Sequence, residues 1–143
     1  MVDETDFKLI RELQHDSRQN YTKMAEKLGL SESTVRRRVT KLAKNNMVTF
    51  TIFLNPEALG FPISAVIGCN ARPKNIDQIA DKLAQIDFLY SVAIVAGRYD
   101  IITSGYFKSV DHVYEVIREQ ITSISGIEKV ETLIMLKRKK REY

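Results

Sequence analysis

The apolar residues of the first third of the chain recur with helical spacing in three short runs. Leu9, Ile10 and Leu13 line one side of a segment that Asp3 can cap, which predicts a helix up to about His15. Met24, Ala25 and Leu28 do the same over residues 22–28, and Gly29 supplies a left-handed stop. Ser31 caps a third helix reaching about Lys44, in which Val35, Val39 and Leu42 fall within about 60° on a wheel that advances ~100° per residue. Gly29-Leu30-Ser31 joins the last two helices through a short link, the signature of a helix-turn-helix. Residues 47–54 are β-branched and aromatic and predict a strand, either a wing or the start of a linker. Asn55-Pro56 and Gly60-Phe61-Pro62 break that pattern.

Beyond Pro62 the pattern repeats. Residues 63–71 read as a strand, 76–86 as a helix (Ile76, Ile79, Ala80, Leu83, Ile86) and 89–96 as a strand. The same order returns in residues 101–107, in a helix carrying Val110, Val113, Ile117, Ile121 and Ile124, and in residues 130–136, with Gly126 before the last strand. A βαββαβ order predicts a ferredoxin-like α+β domain. Both alternating sets of the strands at 89–96 and 130–136 contain apolar residues, Leu89, Ala93 and Val95 being set against Tyr90, Val92 and Ile94. Two helices cover one face of such a sheet, and an apolar second face left in water would be unusually large. The expected cover is a second copy packed sheet on sheet, making an obligate dimer; the competing cover is the N-terminal domain folded back. The expected organisation is a helix-turn-helix domain at 1–50, a hinge or linker at 51–62, a ferredoxin-like oligomerisation domain at 63–137 and a basic tail at 138–143.

The third helix carries the chemistry. Opposite its apolar stripe lie Ser33, Arg37, Thr40 and Lys41, with Arg36 at one margin and Arg38 at the other. A slim helix with guanidinium and hydroxyl groups on its outer face suits a major groove, where arginine reads guanine edges and hydroxyls serve either base or phosphate. Ser31 and Thr34, at the start of the helix, complete the candidate DNA-binding set. Three consecutive arginines spread around a helix and would alone indicate only a solvated face. The turn, the cap and the stripe favour DNA.

Charge agrees with that division. The net charge of +4 at pH 7 resolves into about +3 over residues 1–48, −3 over 49–136 and +4 over the last seven residues. Lys137-Arg138-Lys139-Lys140-Arg141 reads as a solvated end or a further phosphate contact. No stretch approaches the ~20 apolar residues of a membrane span, and the acidic start is unlike a secretion signal, so a cytoplasmic location is expected. A lone cysteine, Cys69, and the histidines His15 and His112 form no metal or catalytic set, and no P-loop, nucleophile elbow or dinucleotide turn is present, so neither an enzyme nor a metal site is expected.

Taken in order, several segments resemble the Lrp/AsnC (feast/famine) family of transcriptional regulators. They are Asp3-Glu4-Thr5-Asp6-Phe7-Lys8-Leu9-Ile10, residues 28–39 around Gly29 and Ser31, Asn55-Pro56-Glu57-Ala58-Leu59-Gly60, Gly97-Arg98-Tyr99-Asp100, and residues 126–132. The resemblance implies a winged helix-turn-helix, a hinge, and a regulatory domain that dimerises and builds tetramers or octamers. It also implies an amino-acid effector bound between dimers near Gly97, with no other cofactor. Two positions depart from the family pattern: Ala96 precedes Gly97 where threonine is frequent, and Asn45-Asn46 replaces a glycine-containing turn, a place where asparagine can be left-handed.

The loop at Gly97, Arg98, Tyr99 and Asp100 has two readings. It is a hairpin turn, or it opens the backbone for a small zwitterion whose carboxylate meets main-chain N–H groups and whose ammonium meets Asp100. Thr132, on a strand facing another subunit, is the candidate companion. The leading expectation is thus a sequence-specific DNA-binding regulator. The alternatives are an amino-acid sensor acting through protein partners and a sequence-tolerant architectural DNA binder.

Overall fold

A computed structural model describes residues 2–139, so residues 140–143 of the basic tail lie outside the described residues. The chain divides between Phe53 and Leu54 into two compact units. In the first, α1 (Glu4–His15), α2 (Tyr21–Leu28) and α3 (Glu32–Lys44) pack around Leu9, Leu13, Met24, Ala25, Val35 and Val39. Each helix begins at a side-chain cap: Asp3 accepts from Asp6 N, Asn20 from Thr22 N and Ser31 from Thr34 N. Gly29 ends α2 with φ 65°, and its conformation turns the chain into α3. Asn46 takes φ 54° after α3, the left-handed turn expected there.

The second unit is a four-stranded antiparallel sheet in the order β2-β3-β1-β4. Its strands are β1 (Ile63–Ala71), β2 (Leu89–Ile94), β3 (Ile101–Phe107) and β4 (Ile127–Ile134). Helix α4 (Ile76–Leu83) links β1 to β2, and α5 (Val110–Val116) links β3 to β4, which is the expected βαββαβ order. The central pair is in register from Ile63 opposite Phe107 to Cys69 opposite Ile101. Both helices lie on one face, where Ala65, Ile67, Cys69, Ile101 and Phe107 meet Ile79, Leu83, Val113, Val116 and Ile121 to form the core. The α5 segment does not run as one regular helix: residues Ile117–Ile121 form a wider π turn closed by Thr122 N donating to Ile117 O at 2.8 Å. The extra residue in that turn lets Val116 and Ile121 both reach the core.

Two expectations require correction. Residues 47–54 form no strand, and no wing pairs there; Met47, Phe50, Ile52, Phe53 and Leu54 are exposed. The β-branched and aromatic composition is present, but a strand needs a neighbouring ladder to accept its hydrogen bonds, and the described residues supply none. The second correction concerns β2. Leu89 pairs with Gly105 and Ser91 with Ser104, so a bulge at Tyr90 shifts the alternation by one residue. Leu89 and Val92 therefore both join the helix-side core, whereas strict alternation places them on opposite faces.

The bulge also shapes the face without helices. Tyr90 stacks on Tyr106 there, with ring centroids 4.5 Å apart. By register Val66, Ile102 and Leu133 share this face, but so do Ser64, Ser104 and Glu131. It is thus mixed in character, less uniformly apolar than expected.

Candidate nucleic-acid interface and effector loop

Helix α3 buries Val35, Val39 and Leu42 and turns Ser33, Arg37, Thr40 and Lys41 outward, all four exposed. This division follows from helical spacing alone. Among the described residues neither Arg37 nor Lys41 is engaged in an ion pair, and both keep their full donor capacity.

The other two arginines have partners. Arg36 Nη2 lies 2.9 Å from Glu32 Oε1, one turn back, and its guanidinium sits 5.3 Å from the Tyr21 ring centroid. Glu32 Oε2 also accepts from the Thr22 hydroxyl at 2.8 Å, so one carboxylate joins α3 to the start of α2. Those hydrogen bonds, first with Arg36 and then with Thr22, hold the Glu32 carboxyl below its ordinary value. Arg38 departs from the sequence reading. Its Nη1 donates to Asp3 Oδ2 at 2.7 Å and to Asp6 Oδ1 at 2.8 Å, directing the group toward α1. The sequence could not show this, because the partners lie more than thirty positions away and belong to a different helix.

Ser31 and Thr34 serve the helix start. Besides capping Thr34 N at 3.2 Å, the Ser31 hydroxyl lies 2.8 Å from Thr34 Oγ1 and 3.0 Å from Ser33 Oγ. Ser31→Ala should destabilise the first unit by about 1 kcal/mol, the usual loss of an N-cap oxygen. A urea titration followed by helical circular dichroism checks this, and an unchanged midpoint would show that water replaces the cap.

In the second unit, the loop between β2 and β3 is anchored by its own carboxylate. Asp100 Oδ2 accepts from Ala71 N at 2.9 Å and from Asn70 Nδ2 at 3.4 Å, and Asn70 Nδ2 also donates to Arg98 O at 2.9 Å. Asp100 N donates to Cys69 O and Val95 N to Asp100 O, closing the turn. Gly97 has φ 151° and nothing within 4 Å of where a Cβ would stand, leaving its backbone open. Arg98 pairs with Glu131 at 2.9 Å. The Tyr99 ring lies so close over Gly68 that an added Cβ would stand 2.7 Å from it. Burial, and then the hydrogen bond to Glu131, raise the Tyr99 hydroxyl above its ordinary value.

Thr132 does not join this loop. Its register opposite Ile67 puts it on the helix side of the sheet, whereas Glu131, which holds Arg98, is on the other. Thr132 instead borders a shallow cavity of about 330 Å³ with Ile117, Thr122, Ile127, Glu128, Lys129 and Val130. Cys69 is fully buried, and desolvation pushes its thiol up to about 11, which keeps it protonated and unreactive. No group of histidine, cysteine and carboxylate residues among those described is arranged to hold a metal ion. No described helix is long and apolar enough to cross a membrane.

Comparison with known proteins agrees with both units. Residues 2–43 match the AsnC-type helix-turn-helix domain, and residues 64–143 match the Lrp/AsnC ligand binding domain. An uncharacterized HTH-type transcriptional regulator from Pyrococcus furiosus is 35% identical, covering 100% of this chain and 97% of its own length. The HTH-type transcriptional regulator LrpA of Pyrococcus horikoshii is 30% identical over 98% of this chain and 100% of its own. Among solved structures, Escherichia coli AsnC superposes with a TM-score of 0.93 at 26% identity, over 100% of this chain and 97% of that one. A Neisseria meningitidis regulator solved as a complex with L-Met gives a TM-score of 0.93 at 22% identity, over 99% and 94% of the two chains, a likeness of fold. With its helix-turn-helix unit and its ligand-binding unit both matched, this chain belongs to the Lrp/AsnC family of DNA-binding transcriptional regulators.

Proposed function

We propose that this regulator reads duplex DNA with the outer face of α3, Arg37 contacting base edges, Lys41 contacting phosphate, and Ser33 and Thr40 beside them. The observation that carries this reading is the pairing pattern on one short helix. Arg36 and Arg38 are held by carboxylates, while Arg37 and Lys41 stand exposed without an ion partner among the described residues. Exposed, fully available donors on a helix backed by a packed apolar stripe match the chemistry of a major groove.

The chain acts as a dimer in this proposal, placing two such helices in successive grooves about 34 Å apart on a pseudo-palindrome. Support comes from the exposed Tyr90 and Leu133 on the helix-free sheet face and from the exposed apolar run at Phe50, Ile52, Phe53 and Leu54. Paired copies would shield such surfaces from water. Selection of bound fragments from random DNA should return a pseudo-palindrome with half-sites one helical turn apart. Fragments without shared sequence would instead indicate an architectural DNA binder, and no salt-dependent binding would indicate a sensor acting through protein partners.

The ligand-binding unit takes a small amino acid at the Gly97 loop. The open backbone at Gly97 suits a carboxylate, and the same fold holds L-methionine in the Neisseria meningitidis protein. Asp100 contributes less than the sequence suggests, because Oδ2 already accepts from Ala71 N and Asn70, leaving Oδ1 for an ammonium group. A ligand shifts assembly only through unequal affinity for two assembly states. Sedimentation with each of the twenty amino acids should therefore reveal a change for one or a few, and uniform profiles would remove this part of the proposal.

A further inference from the structure

The network behind α3 has a role of its own. Asp3 and Asp6 form a reciprocal capping box at the start of α1: Asp6 N donates to Asp3 Oδ1 at 2.9 Å, and Asp3 N donates to Asp6 Oδ2 at 3.1 Å. Each carboxylate thereby commits one oxygen to the cap. The remaining oxygens, Asp3 Oδ2 and Asp6 Oδ1, both accept from Arg38 Nη1. Asp6 is the one charged side chain buried among the described residues, and Arg38 is mostly covered, with its Nε buried and without a hydrogen-bond partner. A capped helix start is rigid, and a charge-assisted pair with little water around it is directional. Arg38 lies one residue beyond Arg37 and one turn before Leu42, so the pair grips α3 at the middle of its length.

We infer that Arg38, Asp6 and Asp3 position the recognition helix, setting the angle and depth at which Arg37 meets the bases, and that Arg38 makes no contact with DNA. This rests on the assignment of α3 as the DNA-reading element. Because a base contact requires alignment whereas phosphate attraction tolerates misplacement, loosening the pair should reduce discrimination more than overall affinity.

Asp6→Asn gives an opposed pair of expectations. It removes a negative charge from the DNA-binding unit, so long-range electrostatics alone would tighten binding to any duplex. Loss of positioning instead weakens binding to the preferred sequence. The test uses the full chain, with the tightest duplex selected from random DNA and a scrambled duplex of equal length, each titrated across salt concentrations. Asp6→Asn should bind the selected duplex roughly tenfold more weakly, comparable with the loss of one base contact. Its affinity for the scrambled duplex should be unchanged or higher, with the salt slope retained. Asp3→Asn, at the more exposed partner, should move both quantities in the same directions by less, and it serves if Asp6→Asn does not fold. Arg38→Met should lower the ratio of selected to scrambled affinity without altering the slope.

Equal or tighter binding of the selected duplex by both aspartate variants would overturn the inference. So would an Arg38→Met protein that loses affinity equally for all sequences while its slope falls by about one, the mark of a phosphate contact. Absence of salt-dependent binding by the unmodified chain would fell the DNA reading itself, and this inference with it.

Discussion

Arg37→Ala should weaken binding to the selected duplex by about 1–3 kcal/mol and relax base preference at the position it faces, the cost of losing one bidentate contact. Lys41→Ala should act differently, weakening binding to every sequence alike and flattening the salt slope by about one. The two residues lie one turn apart on the same exposed face of α3, so the contrast separates a base contact from a phosphate contact on one helix. Equilibrium titrations of selected and scrambled duplexes at several salt concentrations measure both effects. Affinities unchanged in both variants would show that α3 does not enter the groove.

Phe107→Ala should produce the largest loss of stability, about 3–5 kcal/mol, because it empties a fully buried aromatic site. The site has little capacity to collapse. Phe107 ends β3 opposite Ile63, lies edge-on to His112 at 5.8 Å between centroids, and crowds Gly105, where an added Cβ would stand 2.8 Å from the ring. Only a glycine at 105 leaves room for that ring. Chemical denaturation at a fixed protein concentration, necessary because any association stabilises the folded form, provides the measurement. The effect belongs to the second unit: the helix-turn-helix core around Leu9, Met24 and Val35 shares no residue with the core containing Phe107, so affinity for scrambled duplex per folded helix-turn-helix should persist. A loss below about 1 kcal/mol would mean that the cavity closes by repacking.

Asn46 and the βαββαβ order show why local signals carried so far. A cap, a left-handed stop or an amphipathic stripe involves residues within one or two turns, and its energy depends mainly on those residues. The three helices, the turn at Gly29, and strands β1 and β3 were all legible on that basis. Where strand pairing decides, residues 47–54 and Tyr90 show the limit. The first has the composition of a strand without a ladder to join, and the second inserts one residue that reverses the faces of all that follow in β2.

The candidate sites divide in the same way. Sequence alone determined that α3 is basic outside and apolar inside and that Ser31 can cap it, while for Gly97-Arg98-Tyr99-Asp100 it left a hairpin turn and an effector-binding loop both open. Tertiary structure decided which charges remain available: Arg38 is drawn to Asp3 and Asp6, Asp100 to Ala71 N, Arg98 to Glu131, and Thr132 to the opposite side of the sheet from Arg98's partner. Helical and strand periodicity assigns a side chain to a face, because the backbone repeat is fixed by covalent geometry. It does not reveal what stands across from that face, since a charge is captured by whatever opposite charge the fold brings within hydrogen-bond reach, however distant in the chain.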